Sequence, residues 1–142
     1  VEDDGLLKTL GDLGIGSIAF TPLAQGLLTN KYLRGVPAQS RANQAKSLDR
    51  QKITSELVEN LNALNEIANG RGQTLAQMAL AWVLRDDRVT TALIGASSSQ
   101  QVVDCAGAVD NLSFTDSELA EIDKLSGDLG INLWAKSSEI EE

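Results

Sequence analysis

The amino-acid sequence predicts an α/β fold in which helices cover a parallel sheet. Two short apolar runs of strand-forming residues, 16–23 and 89–94, are separated by segments with helical spacing, and the chain carries no hairpin signal. Neither run alternates clearly between polar and apolar residues, which predicts strands buried on both faces. Because two strands alone make a poor sheet, we expect further strands from sequence outside this chain or from another chain.

The composition is that of an ordinary globular domain with an excess of acid. The 142 residues are 42% hydrophobic and 23% charged, which excludes the collagen-like, disordered and disulfide-scaffold classes. A formal net charge of -8 argues against general affinity for nucleic acid. The longest apolar stretch is about half of the roughly 20 residues that a membrane-spanning helix needs. The lone cysteine, Cys105, fits a reducing compartment, so a cytoplasmic protein is expected.

The first half of the chain supplies a helix, a strand and a long basic loop. Residues 5–10 have the pattern of a helix already under way, and Pro22 stops the first strand because proline cannot donate to a sheet ladder. The loop over 25–52 exceeds the roughly 12–15 residues beyond which loops usually have a function. Six basic residues and one acid lie between 31 and 52, which favours binding of a small polyanion; a solvated loop is the alternative.

Four helices and the second strand make up the rest of the chain. Each of these helices starts near a serine or threonine that can accept from a free backbone N–H, and two starts have the spacing of a capping box. The predicted helices run from Thr54 or Ser55 to Gly70, from Thr74 with Gln77 through Leu84, from the serines after Gly95 to about Val109, and from Thr115 with Glu118 through Leu125. The helix after Thr74 is apolar all round, which predicts packing between the sheet and the preceding helix.

The turn Gly95-Ala-Ser-Ser-Ser99 is the strongest physical indication of a binding site. A buried strand passes directly into a helix there, and the free amides of a helix start bind anions readily. The serine hydroxyls can donate to phosphate oxygens, and a serine that only caps the helix is the alternative. This turn and the basic loop both follow strands, and in (β/α)₈ barrels phosphate sites commonly lie after the seventh and eighth strands.

Four motifs in register resemble the aldo-keto reductases. They are Phe20-Thr-Pro-Leu-Ala-Gln-Gly-Leu-Leu-Thr-Asn-Lys-Tyr32, then Gly35-Val-Pro37 with Ser40-Arg41, then Ala76-Gln-Met-Ala-Leu-Ala-Trp-Val-Leu84, and Leu93-Ile-Gly-Ala-Ser97 with Gln101. The resemblance covers nearly the whole chain and points to the branch of potassium-channel β subunits and bacterial L-glyceraldehyde 3-phosphate reductases. It implies that residues 1–142 are the C-terminal portion of a (β/α)₈ TIM barrel, from the end of helix six through strands seven and eight. The rest of the barrel is absent from this sequence.

The resemblance also implies that residues after both strands bind NADPH. Phe20 would stack on the nicotinamide ring, Lys31 would bind phosphate, and Arg41 would lie over the adenosine end. The implied set also contains Thr21, Pro22, Leu23, Ala24 and Gln25 along the nicotinamide ribose and pyrophosphate, Gly26 in the same loop, Gly95, Ser97 and Gln101 at the 2′-phosphoadenosine, and Asp104 and Cys105 near the adenine. Cys105 replaces the asparagine usual in this branch, and Asp104 the common glutamate. The contacts to the 2′-phosphate are the reason to prefer NADPH over NADH.

The implied reaction is the reduction of an aldehyde or ketone by hydride transfer from the nicotinamide. The family's catalytic Asp, Tyr, Lys and His lie on earlier strands, and this chain has no histidine. Its single tyrosine, Tyr32, belongs to the loop motif. We therefore expect the chain alone to lack reductase activity, to hold no metal, and to need the missing barrel half or a second copy. A non-catalytic NADPH-binding sensor or interaction subunit and an inactive truncated remnant are the alternatives.

Overall fold

The computed structural model describes residues 5–35 and 53–126. Its elements are helix α1 (Leu6–Asp12), strand β1 (Ser17–Phe20), a 3₁₀ turn (Ala24–Gly26), helices α2 (Ser55–Gly70) and α3 (Leu75–Leu84), strand β2 (Val89–Leu93), helix α4 (Ser99–Ala106), a second 3₁₀ turn (Gly107–Asp110) and helix α5 (Asp116–Leu125). The order confirms the α/β prediction. None of the helices in these ranges has the length and hydropathy needed to cross a bilayer. Of the predicted loop over 25–52, the part beyond residue 35 lies outside the described residues.

The two strands pair in parallel, as predicted, with Phe20 opposite Leu93 at their carboxyl ends. Both are shorter than the apolar runs that predicted them. The first ends before the predicted 16–23 run is complete because Thr21 has a φ of 58°, which lies outside the extended region. The second ends one residue before the predicted 89–94 run does. The segments that follow the strands therefore begin at the same edge of the sheet.

The prediction that both strands are buried on both faces is wrong for the described residues. Ile18 and Phe20 are 67% and 66% exposed, and Leu93 is 54% exposed. These side chains share one face, whereas Ala19 and Ala92, which are opposite each other in the register, lie on the other and are partly buried. Within the described part of the chain, helices cover only that second face, so the first remains open and mostly apolar. This open apolar face is the reason why further strands are still expected.

The hydrophobic core lies between α2, α3, α5 and the segment after β1. Its buried members are Leu27, Tyr32, Leu57, Leu61, Leu64, Ala68, Leu75, Met78 and Ile122. Those of α2 follow the four-three-four spacing that predicted the helix. Five of the ten residues of α3 are buried, which agrees with a helix packed on several sides.

Threonine side chains cap three of the helices. For α2 the cap is Thr54 and not Ser55, because the Thr54 hydroxyl oxygen accepts a hydrogen bond of 3.1 Å from the Leu57 N–H. Both predicted capping boxes are confirmed, at Thr74 with Gln77 in α3 and at Thr115 with Glu118 in α5. Local spacing in the sequence therefore fixes where these helices begin.

Helix α4 is shorter than predicted. It begins after Ser98, whose hydroxyl oxygen accepts a 3.3 Å hydrogen bond from the Gln101 N–H. It ends at Ala106, and the chain tightens into a 3₁₀ turn as far as Asp110, where an α-helix to about Val109 was expected. Such tightening is common in the last turn of helices.

Arg71 ties the end of α2 to the start of α5. Its side chain is 4% exposed and lies 3.0 Å from a carboxylate oxygen of Glu118. The guanidinium carbon stacks 3.6 Å from the Phe114 ring centroid, and the group donates to the Asn111 carbonyl at 3.2 Å. Hydrogen bonds from the Thr115 N–H and then from Arg71 hold the pKa of Glu118 below its ordinary value. Glu118 is therefore held in its charged form by both the cap and the arginine.

Candidate cofactor-binding site

Two loops at one edge of the sheet form the candidate site. The first follows β1 at Phe20 and the second follows β2 at Leu93, and these two residues are register partners. In parallel sheets the loops after the carboxyl ends of neighbouring strands share one mouth. The fold therefore brings together the two segments that the family resemblance assigns to opposite ends of a dinucleotide.

The backbone of the first loop is strained. Thr21, Ala24 and Gln25 have φ values of 58°, 45° and 57°, in the left-handed region that favours glycine. Hydrogen bonds from the Ala24 N–H to the Thr21 carbonyl at 3.0 Å and from the Gly26 N–H to the Leu23 carbonyl at 2.8 Å hold this turn. Strain of this kind clusters at ligand-binding loops. Sequence reasoning missed it because no glycine marks these three positions.

The side chains of this loop differ widely in exposure. Phe20 stands on the open face of the sheet, where its ring can be reached from solvent. The Lys31 ammonium is exposed and lies 5.8 Å from the ring centroid of Tyr32. The amide oxygen of Gln25 is buried without a hydrogen-bond partner in the described part of the chain. Arg41 lies outside the described residues.

The second loop brings Ser97 and Gln101 together. The Ser97 N–H and hydroxyl donate to the Gln101 side-chain oxygen at 2.8 and 3.1 Å, and both residues are exposed. The family resemblance placed both residues at the 2′-phosphoadenosine, but it did not indicate that they hydrogen-bond to each other. An oxygen acceptor satisfies both Ser97 donors in the structure, which is the kind of partner that a phosphate oxygen also provides. The alternative that a serine caps α4 is correct for Ser98.

Comparison with known proteins decides what kind of fold this site belongs to. Residues 1–126 match the Aldo/keto reductase family. The chain belongs to this family. It is 50% identical over 143 residues to the L-glyceraldehyde 3-phosphate reductase of Escherichia coli strain K12, and 48% identical to the one of Escherichia coli O157:H7. Each alignment covers 98% of this chain and 41% of the relative, so the chain spans less than half the length of these curated relatives.

Family membership gives the architecture around the described elements. The two parallel strands and their helices are part of the TIM barrel of an aldo-keto reductase. Members of this family are oxidoreductases that typically depend on NAD(P)H. The resemblance drawn from the four motifs is therefore confirmed.

The remaining predicted cofactor contacts lie along and before α4. Asp104 accepts a 2.8 Å hydrogen bond from the Gln100 amide through its carboxylate, and another of 2.8 Å from the Gln77 amide through its backbone carbonyl. Burial raises the pKa of the half-buried Cys105 thiol, and the charge of Asp104 adds to that effect. The thiol is therefore held protonated, unlike a catalytic thiolate. Gly95 is exposed with open space around it.

An apolar groove opens beside the first loop of this reductase fold. It is lined by Pro22 and Leu28 from the loop and by core residues such as Met78, Trp82 and Ile122. None of the lining side chains from the described residues is an acid or a base, so these residues supply no proton-transfer group there. Within 5–35 and 53–126, no group of three or more His, Cys, Asp or Glu side chains is placed to hold a metal ion.

The strained loop gives a direct stability prediction. Thr21→Gly is expected to raise the free energy of unfolding by about 1 kcal/mol, because relief of left-handed strain outweighs the entropy that glycine adds to the unfolded chain. Urea unfolding of the protein measures this change. Thr91→Gly, an exposed threonine within β2, is the matched control and should destabilise by up to about 1 kcal/mol. A loss of stability in Thr21→Gly would contradict strain at this position.

Proposed function

We propose that this chain is the NADPH-binding C-terminal part of an aldo-keto reductase, contributing strands seven and eight with their helices. The reaction is the reduction of an aldehyde or ketone to an alcohol. The observation that carries the proposal is the meeting of the strained loop after β1 and the Ser97–Gln101 pair after β2 at one sheet edge. The proposed substrate is L-glyceraldehyde 3-phosphate or a related small aldehyde, on the strength of the 50% identity to the Escherichia coli enzyme.

The described residues fit the chemistry of NADPH. The accessible ring of Phe20 offers a face for the nicotinamide, and the Ser97 N–H and hydroxyl are donors suited to a phosphate oxygen. Lys31 adds positive charge for the pyrophosphate, and Arg41, outside the described residues, is proposed for the adenosine end. NADPH, when bound, supplies the hydride that reduces the carbonyl carbon. We prefer it to NADH because Ser97 and Gln101 would serve the 2′-phosphate.

The role of this chain is to bind and orient the cofactor. It contains no histidine, and Tyr32 is 1% exposed within the core, where it cannot reach a substrate. We therefore assign it no proton-transfer step. The strands that complete the barrel, from the same polypeptide or from a second copy, would cover Ile18 and Leu93 on the open face and leave the ring of Phe20 accessible to the nicotinamide. The partners are these strands and the carbonyl substrate, and the proposed location is the cytoplasm.

A chimaera tests this function. In it, the present chain replaces the segment of the Escherichia coli K12 reductase to which it aligns. We expect NADPH-dependent reduction of L-glyceraldehyde 3-phosphate within about tenfold of the parent enzyme, because binding contacts are kept and the acid–base groups are restored. The isolated chain should show no turnover above background.

Two outcomes of this experiment would contradict the proposal. A folded chimaera that binds NADPH without turnover would favour a non-catalytic sensor or interaction subunit. A folded chimaera that fails to bind NADPH would exclude cofactor binding by this chain. Circular dichroism of the chimaera, compared with the parent, establishes that it is folded.

A further inference from the structure

The side-chain amide of Gln77 joins two helices. Its oxygen accepts a 2.9 Å hydrogen bond from the Thr74 N–H, which completes the capping box of α3. Its nitrogen donates at 2.8 Å to the backbone carbonyl of Asp104 in α4. Among residues 5–35 and 53–126, this is the hydrogen bond that ties α4 to another helix. One amide thus serves the start of α3 and the position of α4 at the same time.

Helix α4 has little other support. None of its residues is buried, and Val102 and Val103 are 51% and 65% exposed. The next buried residue along the chain is Ala108, in the 3₁₀ turn beyond its end. Elements with few buried contacts open and shift at low cost in free energy. A single hydrogen bond to the backbone of α4 therefore has a large share in fixing where the helix lies.

Gly107 shows how closely the amide approaches α4. A Cβ atom at this position would lie 2.7 Å from the Gln77 side-chain nitrogen. The φ of Gly107 is -61°, an ordinary helical value that any residue adopts. The space taken by the Gln77 amide, and not the backbone conformation, is therefore what an added side chain would disturb.

We propose that Gln77 is a positioning residue, which sets the place of the first turn of α4 and thereby the selection of NADPH over NADH. The inference rests on the proposed function, in which Ser97 and Gln101 receive the 2′-phosphate. Gln101 lies one helical turn before Asp104, so both move with the same short helix. When the amide releases the Asp104 carbonyl, Gln101 loses its fixed distance from the rest of the site.

Two variants disrupt the hydrogen bond from the Gln77 amide to the Asp104 carbonyl, one by changing residue 77 and the other by crowding its amide from residue 107. Gln77→Glu keeps an oxygen acceptor for the Thr74 N–H, but it removes the donor and turns a carboxylate towards the Asp104 carbonyl. Gly107→Ala leaves the sequence of α3 unchanged, including the Thr74 hydroxyl that caps it, and displaces the Gln77 amide with a methyl group. In the chimaera, we expect each variant to weaken NADPH binding about tenfold and NADH binding less than about twofold, measured by fluorescence titration. The double variant should show little further loss, because both changes break one contact.

Thr74→Ala is the matched control. It removes the hydroxyl cap of α3 while leaving the tie between Gln77 and Asp104, so it should lower thermal stability and keep the ratio of NADPH to NADH affinity. Equal losses of both cofactors in Gln77→Glu and Gly107→Ala would overturn the positioning role. So would a shift of the ratio in Thr74→Ala as large as theirs.

Hydrogen exchange separates this inference from the proposed function. Without any cofactor, the amides of α4 should exchange about tenfold faster in Gln77→Glu than in Thr74→Ala, because only the former frees the helix. Unchanged exchange would overturn the inference even if NADPH binds. If the unmutated chimaera binds neither cofactor, the proposed function fails and the selection of NADPH fails with it.

Discussion

Replacing Arg71 with alanine is expected to lower the free energy of unfolding by about 2–4 kcal/mol. The change removes the ion pair to Glu118, the hydrogen bond to the Asn111 carbonyl and the stacking on Phe114. It also leaves the Glu118 carboxylate, which is 27% exposed, without its charged partner. Urea unfolding followed by circular dichroism measures the loss.

Two further variants test whether the contacts of Arg71 cause this decrease in stability. Arg34→Ala is the same substitution at an exposed position and should change stability by less than about 0.5 kcal/mol. Arg71→Lys keeps the positive charge but lacks the planar guanidinium group, so the decrease in the free energy of unfolding should be intermediate. A change below about 0.5 kcal/mol in Arg71→Ala would mean that the cluster does not stabilise the fold.

The second large effect is expected on cofactor affinity. Ser97→Ala combined with Gln101→Ala should weaken NADPH binding by the chimaera by about 100-fold and leave NADH binding nearly unchanged, because two donors to the 2′-phosphate are lost. NADH lacks that phosphate, so the same donors face water in its complex. Parallel titrations with the two cofactors measure the difference.

Ser99 provides the control for this double variant. It belongs to the same serine turn, and Ser99→Ala removes a hydroxyl that has no assigned contact with the phosphate. Its affinities for both cofactors should stay within about twofold of the unmutated protein. Equal losses of NADPH and NADH in the double variant would place the 2′-phosphate elsewhere.

The features that the sequence predicted correctly are those decided by near neighbours. The boxes at Thr74 and Gln77 and at Thr115 and Glu118 depend on residues three apart, and the structure contains both. The apolar runs predicted two strands, and burial on both faces together with the lack of a hairpin signal predicted that they are parallel; the pairing is confirmed and that burial is not. Their burial could not be predicted in this way, because it depends on what packs against the sheet.

Within the candidate site, too, only contacts between residues close in sequence could be predicted. Ser97 and Gln101 are four residues apart, so their meeting is a local contact between the residue before the cap of α4 and its first turn. The orientation of the Gln101 side-chain amide could not be predicted from the sequence, because it depends on which nearby donors lack another acceptor. The reach of Gln77 to Asp104 crosses 27 residues of sequence, and the strain at Thr21 is set by the turn around it. The capping box uses the side-chain oxygen of Gln77 and leaves its N–H₂ group available as a donor. That donor is the sequence feature that could have predicted the hydrogen bond to the Asp104 carbonyl.

The open face of the two strands makes the folding of this unit a linked equilibrium. Ile18 and Leu93 are 67% and 54% exposed, so covering each of them contributes part of the about 1.5–3 kcal/mol that full burial of such a side chain gives. Whatever surface lies on this face therefore acts thermodynamically as a ligand of the folded state alone, and its local concentration raises the apparent stability of the unit. A covalently joined surface has a high effective concentration, whereas a separate chain must reach it by mass action. The melting temperature of this unit therefore depends on the surface that binds its open face.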